Sequence, residues 1–391
     1  FYRKFFKMPK KKVFYWCPVI SNVATINATI NSINSLNNFS HKDYEAKVID
    51  TYGEWQKISK KKDIETKNIF SFGKISFIKN IPSESFIFSR IKYLLIFFFS
   101  FFKLKNFLKR KTPEYLIIHL ITSLPLLLNC IYSFNTKIIL RISGKPKMNL
   151  FRSILWRIAL NKIFKVTFPT LETLMEFKKL KLVDDDKLEL LYDPVLNLKD
   201  ISNKKHEIIP EHYLKKEKYF LSIGRLTKQK NFNLLLNAFR KILPNNKQYK
   251  LVIIGDGEDR KSLNKIINKH NLKDYVYLIG FKENVFKYFR NAECFILSSL
   301  WEDPGWVIIE AIASNTIVLS SDCPSGPKEI LNNERGILFK NNSELDLIKS
   351  IDYFKRLDEN KKKIIKFKAK IFIKKFTLLH HHKKLLSILN S

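Results

Sequence analysis

Short apolar runs alternate with longer mixed segments along most of this chain, and this alternation indicates strands and helices that follow one another. In the first half, runs rich in β-branched and aromatic residues predict strands at residues 13–17, 46–50, 115–120, 137–142 and 165–168. The mixed segments between these runs predict helices, such as those at 25–36 and 151–160.

The alternation restarts after residues 200–218, a charged stretch that is interrupted by Pro210 and is therefore the best candidate for a linker. Beyond it, strands are predicted at residues 219–223, 251–254, 276–279, 294–297, 316–320 and 336–339. Helices are predicted at residues 232–242, 260–270, 305–313 and 343–351. A Lys-rich helical pattern at 361–391 is expected to pack back on the domains.

Near-continuous apolar strands that alternate with helices are typical of parallel sheets covered on both faces. The fold class is therefore α/β, with two Rossmann-like domains whose parallel sheets face a central cleft. The predicted boundaries are 1–205 for the N-terminal domain, 206–360 for the C-terminal domain and 361–391 for the C-terminal helical segment. In open sheets of this kind, ligands bind beyond the carboxyl ends of the strands.

The charge of the chain is strongly positive. It has 71 Lys+Arg against 36 Asp+Glu, a formal net charge of +35, while its hydrophobic fraction of 45% is that of a globular protein. Three explanations stay open: a bias toward the codons that encode Lys, Asn, Ile and Phe, attraction to an anionic membrane surface, or attraction to nucleic acid. No zinc-finger or RNA-binding motif supports the third explanation.

The four cysteines, Cys17, Cys130, Cys294 and Cys323, are scattered and form no CxxC pair. Their placement favours a reducing compartment and argues against a zinc site. No N-terminal segment has the layout of a secretory signal. We therefore expect a cytoplasmic location and neither a metal nor a cofactor.

An almost wholly apolar run at residues 93–102 is followed by a basic cluster of Lys103, Lys105, Lys109, Arg110 and Lys111. The run is too short to span a bilayer, which takes roughly 20 residues. Two interpretations remain: a helix that lies in the interface of an anionic membrane, or a core helix with a solvated end.

Two cations follow the first strand of the second half. Gly224 ends the strand and lets the backbone turn closely beside a ligand. Arg225 carries a planar fork that suits phosphate oxygens, and Lys230 adds a mobile point charge. This arrangement predicts a diphosphate site.

Two carboxylates in SLWEDPGWVIIEAIA complete the candidate site. Glu302 lies in a loop, and Glu310 lies more than a turn into the helix that follows. Ionised carboxylates only accept hydrogen bonds, so they suit the hydroxyls of sugars. Gly305 and Trp306 open that helix, whose free N–H groups favour an anion.

Three further positions complete the candidates from the residues alone. Phe281 follows another strand of the same layer, where its ring could lie against a nucleobase. Gly255 and Gly257 in LVIIGDGED are interpreted as structural glycines of a strand-to-helix turn. The consecutive histidines at 380–382 point around a helix, so we expect them at the surface rather than at a metal.

The segments GRLTKQKN, LVIIGDGE, LIGF, SLWEDPGWVIIEA and SDCPSGPKEIL, in this order and spacing, resemble family 4 of the retaining GT-B glycosyltransferases. The resemblance is strong over residues 218–339. It implies a nucleotide-sugar-binding C-terminal domain, an acceptor-binding N-terminal domain, and metal-independent transfer that retains the anomeric configuration. By position, Arg225 and Lys230 match the diphosphate pair, while Glu302 and Glu310 match the motif that contacts the donor sugar and the ribose.

The chain departs from the family pattern at two places. Asp303, Pro304 and Gly305 stand where the family often has Gly-Phe-Gly. Residues 18–24 replace a Gly-Gly loop, and Asn22 is the polar candidate for a donor contact there. His119, near the end of a strand, is placed as a catalytic candidate on the acceptor side.

The resulting functional hypothesis is a retaining hexosyltransferase. It would move a hexosyl or N-acetylhexosaminyl group from a nucleoside-diphosphate sugar to a lipid-linked or polysaccharide acceptor in cell-envelope glycan synthesis, of the lipopolysaccharide type. The enzyme would be peripheral on the inner face of the cytoplasmic membrane and would not bind nucleic acid. The alternatives are a sugar-nucleotide epimerase of the same fold and a basic nucleic-acid-binding protein.

Overall fold

The computed structural model describes residues 9–20, 24–62, 64–81, 86–144, 146, 148–214, 217–302 and 304–391. Contacts between residues divide the chain into two units. Unit 1 comprises the described residues up to Pro194 together with Leu378–Ser391, and unit 2 comprises Val195–Thr377. Along the chain, unit 2 is therefore an insertion into unit 1.

Unit 1 contains a seven-stranded sheet in the order β3-β2-β1-β4-β5-β6-β7, and every adjacent pair is parallel. The strand order changes direction between β1 and β4, as in doubly wound folds. The strands are β1 (Lys11–Trp16), β2 (Tyr44–Asp50), β3 (Ile69–Ser71), β4 (Tyr115–Ile118), β5 (Lys137–Arg141), β6 (Lys165–Phe168) and β7 (Leu188–Leu190).

Helices connect these strands, since parallel neighbours require crossovers. They are α1 (Thr25–Phe39), α2 (Glu54–Ser59), α3 (Ser76–Asn80), α4 (Phe86–Lys111), α5 (Ser123–Ile131), α6 (Leu150–Asn161) and α7 (Leu171–Lys178). Four of them contribute to one apolar core on the same face of the sheet, through Leu104 of α4, Leu124 of α5, Trp156 of α6 and Phe177 of α7. The helices α4 to α7 therefore form one layer.

Unit 2 contains a six-stranded parallel sheet in the order β10-β9-β8-β11-β12-β13. The first six strands of unit 1 have the same order, so both units are Rossmann-like. The strands are β8 (Lys218–Ile223), β9 (Tyr249–Ile254), β10 (Val276–Leu278), β11 (Cys294–Leu297), β12 (Ile317–Ser321) and β13 (Ile337–Phe339).

The helices of unit 2 cover both faces of its sheet. Leu235, Leu236 and Phe239 of the second helix pack on strand residues such as Phe220 and Leu251. The helices are α8 (Leu198–Lys204), α9 (Phe232–Ile242), α10 (Arg260–Lys269), α11 (Phe286–Asn291), α12 (Trp306–Ala313), α13 (Pro327–Leu331), α14 (Glu344–Arg356) and α15 (Glu359–Ile373).

All eleven predicted strands are present, with ends displaced by two residues at most. The sequence pattern missed β3 and β7, because each has only three residues and neither is a continuous apolar run. Both lie at the edges of the sheet in unit 1, where short strands limit pairing with other chains.

The predicted linker is wrong over residues 200–204, which belong to α8. The side chain of Asn197 caps this helix by accepting the N–H of Asp200, and Ile201 is buried beneath it. The contacts place the division between the units at Pro194 and Val195 rather than at 205/206.

The C-terminal helical segment predicted at 361–391 consists of two helices. Its first part belongs to α15 in unit 2, and its second part is α16 (Leu378–Leu389), which joins unit 1. Leu385 and Leu389 of α16 share a core with Tyr15 of β1 and Ile33 of α1 on the face opposite α4 to α7.

Two of the three consecutive histidines are buried, so the prediction that they lie at the surface is wrong for them. The Nε2 of His381 is 2.8 Å from the hydroxyl of Ser32, and its Nδ1 is 2.7 Å from the carbonyl oxygen of Tyr192. The Nε2 of His382 is 3.1 Å from the hydroxyl of Ser40. Periodicity alone did not reveal these hydroxyls, which come from α1 and the turn after it.

Helix α4 has one buried edge and one exposed edge. Leu104 and Leu108 are buried in the core of unit 1, whereas Leu94, Phe98 and Phe102 are between 52 and 68% exposed. Within the apolar run at 93–102, Ile96 is buried as well, as a core helix requires, and the membrane interpretation stays a prediction. Among the described residues, neither α4 nor any other helix has the length and apolarity that a bilayer-spanning helix requires.

The buried His381 predicts a pH-dependent stability. Burial lowers its pKa from 6.5 to about 4, so this side chain contributes stability that is fully present above pH 6.5 and is lost as the pH falls toward 4. Its share of the loss between pH 7 and pH 5 is about 2 kcal/mol. Denaturant unfolding of His381→Gln at both pH values is expected to show a smaller pH effect than the wild type.

His41→Gln is the matched control, because His41 is an exposed histidine of unit 1. It should keep the wild-type pH effect. Equal pH effects in the wild type and in His381→Gln would contradict the role given to His381.

Candidate functional site

The carboxyl ends of β8, β9 and β10 lie together at one edge of the sheet in unit 2. The N–H of Gly224 donates to the carbonyl of Ile254 at 3.0 Å, and the N–H of Gly255 donates to the carbonyl of Gly280 at 2.9 Å. The turns that follow the three strands are thereby joined by backbone hydrogen bonds.

This contact requires glycine. Gly255 has φ +143°, and a Cβ on it would lie 1.9 Å from the carbonyl oxygen of Gly224. Gly257 has φ +158°, and a Cβ on it would lie 2.4 Å from the carbonyl oxygen of Leu226. Both glycines therefore have a structural role, as predicted, and that role fixes the turn carrying the candidate cations.

Arg225 and Lys230 occupy this turn in different ways. Arg225 is exposed, and its guanidinium makes no hydrogen bond or ion pair within the described part of the chain. The stem of Lys230 crosses Gly224, where an added Cβ would lie 3.0 Å from its Cε. Gly224 thus gives the Lys230 side chain its path across the end of β8.

Lys230 and Glu302 form an ion pair, with Nζ 2.6 Å from Oε1. The two side chains are only 14 and 6% exposed, so water screens their attraction less than at the surface. The hydroxyl of Ser299 donates to the same carboxylate oxygen, which leaves Oε2 without a recorded donor among the described residues. Two of the predicted residues are therefore in direct contact.

Residues that the sequence did not single out hold this pair in place. The hydroxyl of Ser298 donates to the carbonyl of Lys230 at 2.9 Å, and the N–H of Leu300 donates to the carbonyl of Gln229 at 2.8 Å. The buried Ser321 hydroxyl donates to the carbonyl of Ser299. Ser298 follows β11 and Ser321 is the last residue of β12, so their position at the carboxyl ends of predicted strands was the signal for these serines.

Gly305 begins the turn into α12 with φ +88°. Gly326 approaches the same turn so closely that a Cβ on it would lie 2.0 Å from the carbonyl oxygen of Pro304. The N–H of Glu302 donates to the carbonyl of Pro324 at 3.1 Å. The segment from Pro324 to Gly326 therefore supports the loop that carries Glu302, while Asp303 lies outside the described residues.

Glu310 is partly buried on α12. Burial raises the pKa of its carboxyl to about 7, and the charges of Lys204 and Lys230 oppose this rise. Glu310 is thus close enough to Lys230 for the two charges to interact. Its carboxylate has lost hydration through burial and has no hydrogen-bond donor among the described residues. It can therefore accept hydrogen bonds from the hydroxyls of a ligand.

The aromatic candidates differ in exposure. Phe281, directly after Gly280, is 70% exposed, which leaves its ring free to contact a flat ligand. Trp306 is partly buried at the start of α12. Trp301 is 47% exposed and adjacent to Glu302, and the sequence analysis did not single it out.

The two candidates in the first half belong to unit 1. His119 is buried after β4, with its Nδ1 2.9 Å from the hydroxyl of Thr29 and its ring edge-on to Tyr15. Burial, followed by the charge of Arg141, holds its pKa well below the usual range, so its imidazole is neutral at pH 7. A catalytic role for His119 stays a prediction. Asn22 lies outside the described residues.

The arrangement in unit 2 offers an unpaired guanidinium, an ammonium and two carboxylates around the ends of adjacent strands. Cations of this kind bind phosphate oxygens, and carboxylates bind hydroxyls. Among the residues that the structure describes, no group of three His, Cys, Asp or Glu side chains could hold a metal ion.

The chain is similar to several glycosyltransferases. Residues 204–371, most of unit 2, match the family described as Glycosyl transferases group 1. An uncharacterized glycosyltransferase of Methanocaldococcus jannaschii is 31% identical over 324 residues, which are 78% of this chain and 76% of that protein. The N-acetylgalactosamine-N,N'-diacetylbacillosaminyl-diphospho-undecaprenol 4-alpha-N-acetylgalactosaminyltransferase of Campylobacter jejuni is 33% identical over 195 residues, 50% of this chain and 51% of that protein.

The crystal structure of Anabaena HepE in complex with UDP-glucose matches this chain with a TM-score of 0.69 at 15% identity, covering 97% of this chain and 99% of that one. Two Rossmann-like units with parallel sheets thus define a GT-B protein. The match to the M. jannaschii glycosyltransferase extends over most of this chain, and the family match covers most of unit 2. The chain therefore belongs to the group 1 glycosyl transferases.

The raised pKa of Glu310 predicts that this side chain costs stability. An ionised carboxylate is disfavoured in the folded protein, so the cost is absent below the unfolded pKa of 4.5 and grows as the pH rises through about 7. At pH 8, Glu310→Gln is expected to raise the free energy of unfolding by about 1–3 kcal/mol. At pH 4 its effect should be near zero, as measured by denaturant unfolding.

Glu258→Gln, at an exposed position of the same unit, serves as the control and should change neither value. A stability gain for Glu310→Gln that is the same at pH 4 and pH 8 would rule out the raised pKa as its cause.

Proposed function

We propose that this protein is a retaining glycosyltransferase of family 4. It moves a hexosyl or N-acetylhexosaminyl group from a nucleoside-diphosphate sugar to a lipid-linked or polysaccharide acceptor in cell-envelope glycan synthesis. The observation that carries the proposal is the Lys230–Glu302 ion pair, with Arg225 in the same turn as Lys230 and without a side-chain partner among the described residues. The site thus offers cations for a diphosphate and a carboxylate for the hydroxyls of the attached sugar.

The ion pair prepares the donor site. An entering diphosphate competes with Glu302 for Lys230, because a phosphate oxygen is an equally good partner for the ammonium. Glu302, still held by Ser299, then accepts hydrogen bonds from the sugar hydroxyls. Arg225 adds its planar fork to the diphosphate without first losing a protein partner.

Glu310 is placed to accept hydrogen bonds from the ribose. Hydroxyl donors at its carboxylate replace part of the hydration lost through burial, so ribose binding lowers the cost of ionising Glu310. The exposed ring of Phe281 supplies a surface for the base. The donor then extends along the carboxyl ends of β8, β10, β11 and β12. In open parallel sheets, ligands generally bind beyond these ends of the strands.

The transfer breaks the bond between the anomeric carbon and the diphosphate oxygen and forms a bond between that carbon and the acceptor oxygen. The departing diphosphate gains charge, which Arg225 and Lys230 stabilise. It takes the proton of the acceptor on the same face, so the configuration is retained. The Campylobacter relative is named for an alpha linkage, which is the result of retention from an alpha-linked donor.

A lipid-linked acceptor is supported by the name of the same relative, which specifies a diphospho-undecaprenol substrate. In this protein the acceptor would be received by unit 1, where His119 is the candidate. His119 would act as a neutral hydrogen-bonding group rather than as a cation.

Helix α4 supports a peripheral position on the inner face of the cytoplasmic membrane. Its exposed apolar side chains recur every three or four residues at Ile87, Ile91, Leu94, Phe98 and Phe102, so they share one face. Lys109, Arg110 and Lys111 follow in the last turn and favour anionic lipids by on the order of 1 kcal/mol each. The helix would lie in the interface, with its opposite edge anchored in unit 1.

The transfer reaction is tested by Lys230→Ala. Loss of the ammonium should lower kcat/KM at least tenfold, about 1.4 kcal/mol of transition-state stabilisation, because the leaving diphosphate loses a charge partner. The assay offers UDP-, GDP- and dTDP-sugars with a lipid-linked acceptor and identifies the product by mass spectrometry. Lys228→Ala, at an exposed position in the same turn, should leave kcat/KM unchanged.

Unchanged turnover in Lys230→Ala would count against the assigned role of this residue. A converted donor sugar that stays attached to its nucleotide and needs no glycan acceptor would instead identify an epimerase.

Membrane association is tested by flotation of the full chain with vesicles. The wild type should float with phosphatidylglycerol-containing vesicles and not with pure phosphatidylcholine. The double change Phe98→Ser with Phe102→Ser should reduce flotation at least tenfold, because two apolar side chains no longer enter the interface. Leu345→Ser removes an equally exposed leucine in unit 2 and should float like the wild type.

Equal flotation with both kinds of vesicle, or flotation with neither, would contradict the proposed membrane association.

A further inference from the structure

A pocket of about 840 Å³ lies in unit 1 at the amino ends of β6 and β7, formed by the ends of α6 and α7 and by the connection from α7 to β7. Its volume is that of a small-molecule site. His119 follows the carboxyl end of β4, so the pocket lies at the opposite edge of the sheet from that candidate. It is therefore separate from the acceptor side assigned to unit 1.

The pocket is basic. Two carboxylates and five cations line it, and one of the carboxylates, Asp185, is already paired with Lys178 at 2.7 Å. Arg157 and Lys181 are exposed and form no ion pair within the described residues. The remaining cations are Lys179, which pairs with Glu176, and Lys187, which donates to the carbonyl of Asn161.

Stabilisation of the helix ends accounts for only part of the positive charge in the pocket. The C-terminal ends of α6 and α7 each carry about half an elementary negative charge, and nearby cations stabilise such ends. These two ends and the two carboxylates do not balance five cations, so a net positive charge remains. An anion completes the pocket.

Apolar stripes lead to the pocket along both helices. On α6, Leu150 and Ile154 precede Arg157 at spacings of four and three, so the three side chains share one face. On α7, Leu171 and Met175 precede Lys178 at the same spacings. All four apolar side chains are exposed, and Arg157, Met175 and Lys178 line the pocket itself.

The two helices are neighbours. The rings of Trp156 on α6 and Phe177 on α7 have centroids 6.1 Å apart beneath the stripes. Each stripe is therefore apolar near the start of its helix and cationic near its end, and both end at the same pocket. Such a surface matches a molecule with an acidic head and an apolar tail.

Both helices belong to the layer that also contains α4 and its exposed apolar edge. The face of unit 1 that would meet a membrane through α4 is thus the face that presents this surface. The positive charge of the pocket is complementary to an anionic lipid and not to a zwitterionic one.

We propose that the pocket binds the phosphate-bearing headgroup of an anionic phospholipid of the bilayer, with its acyl chains along the stripes of α6 and α7. The proposal rests on the membrane association proposed above and deepens it, because it adds selection of a single lipid molecule to the attraction of a charged surface. The phosphate would be bound by Arg157 and Lys181, whose side chains have no hydrogen-bond or ion-pair partner among the described residues.

The test is isothermal titration of the full chain with dihexanoyl-phosphatidylglycerol below its micelle concentration. One molecule should bind per chain. Dihexanoyl-phosphatidylcholine, glycerol phosphate and inorganic phosphate should each bind at least tenfold more weakly, because each lacks either the net charge or the chains. The double change Arg157→Glu with Lys181→Glu should weaken binding of the phosphatidylglycerol at least tenfold, and Ile154→Ser should weaken it several-fold.

Lys42→Glu with Lys61→Glu is the matched control, because it makes the same charge change at two exposed positions of unit 1 outside the pocket. It should bind like the wild type. Equal binding of the two lipids, equal losses in the pocket and control variants, or phosphate binding as tight as lipid binding would each overturn the proposal.

The proposed transferase function and the lipid site can be disproved independently of each other. Phosphatidylglycerol binding that persists while sugar transfer is absent would overturn the transferase alone. Transfer that persists while phosphatidylglycerol binding is absent would overturn the lipid site alone. Vesicle flotation that depends on Phe98 and Phe102 and is unaffected by the Arg157/Lys181 change would confine the membrane contact to α4 and overturn the pocket's role.

Discussion

The close approach of two backbone turns, with Gly255 against the carbonyl of Gly224, is the constraint on which the rest of the candidate site depends. It joins the ends of β8 and β9, and the bare Cα of Gly224 then gives the stem of Lys230 its path toward Glu302. A side chain at Gly255 would clash with this carbonyl, and one at Gly224 would crowd the stem of Lys230. The chemistry of the site is thus set first by backbone packing and only then by charge.

Much of this could be predicted from the sequence because it is local. An apolar run such as that of β11 and an amphipathic one such as that of α9 determine their own structure, and both have the predicted bounds. Arg225, Lys230 and Glu302 could be predicted as candidates because each follows a recognisable strand, and Glu310 because it lies on the helix after Glu302. What could not be predicted depends on distant partners: His381 is buried only because Ser32 and the carbonyl of Tyr192 receive it. Likewise, Ser299 and Gly326 stabilise Glu302 and its loop. The periodicity of the sequence does not show that these segments lie close to one another.

The two units differ in how they use polar groups. In unit 2, charges and hydroxyls gather at the edge of the sheet, where a ligand can replace their partners. In the interior of unit 1, polar groups pair with each other, as in the Arg141–Asp193 pair at 2.6 Å and the Thr29–His119 hydrogen bond at 2.9 Å. Such a buried network is costly to disturb because each group would leave another without a partner.

The return of the chain to unit 1 through α16 has a consequence for biosynthesis. Val195–Thr377 form a unit whose residues are contiguous, so this inserted unit has every segment it needs before α16 is made. The earlier-made unit must wait, because Tyr15 and Ile33 share their core with Leu385 and Leu389. Domains generally fold as units while they are synthesised, the first one first. In this protein the order is reversed: the part translated first keeps one apolar face open on the ribosome until the last helix has left the exit tunnel.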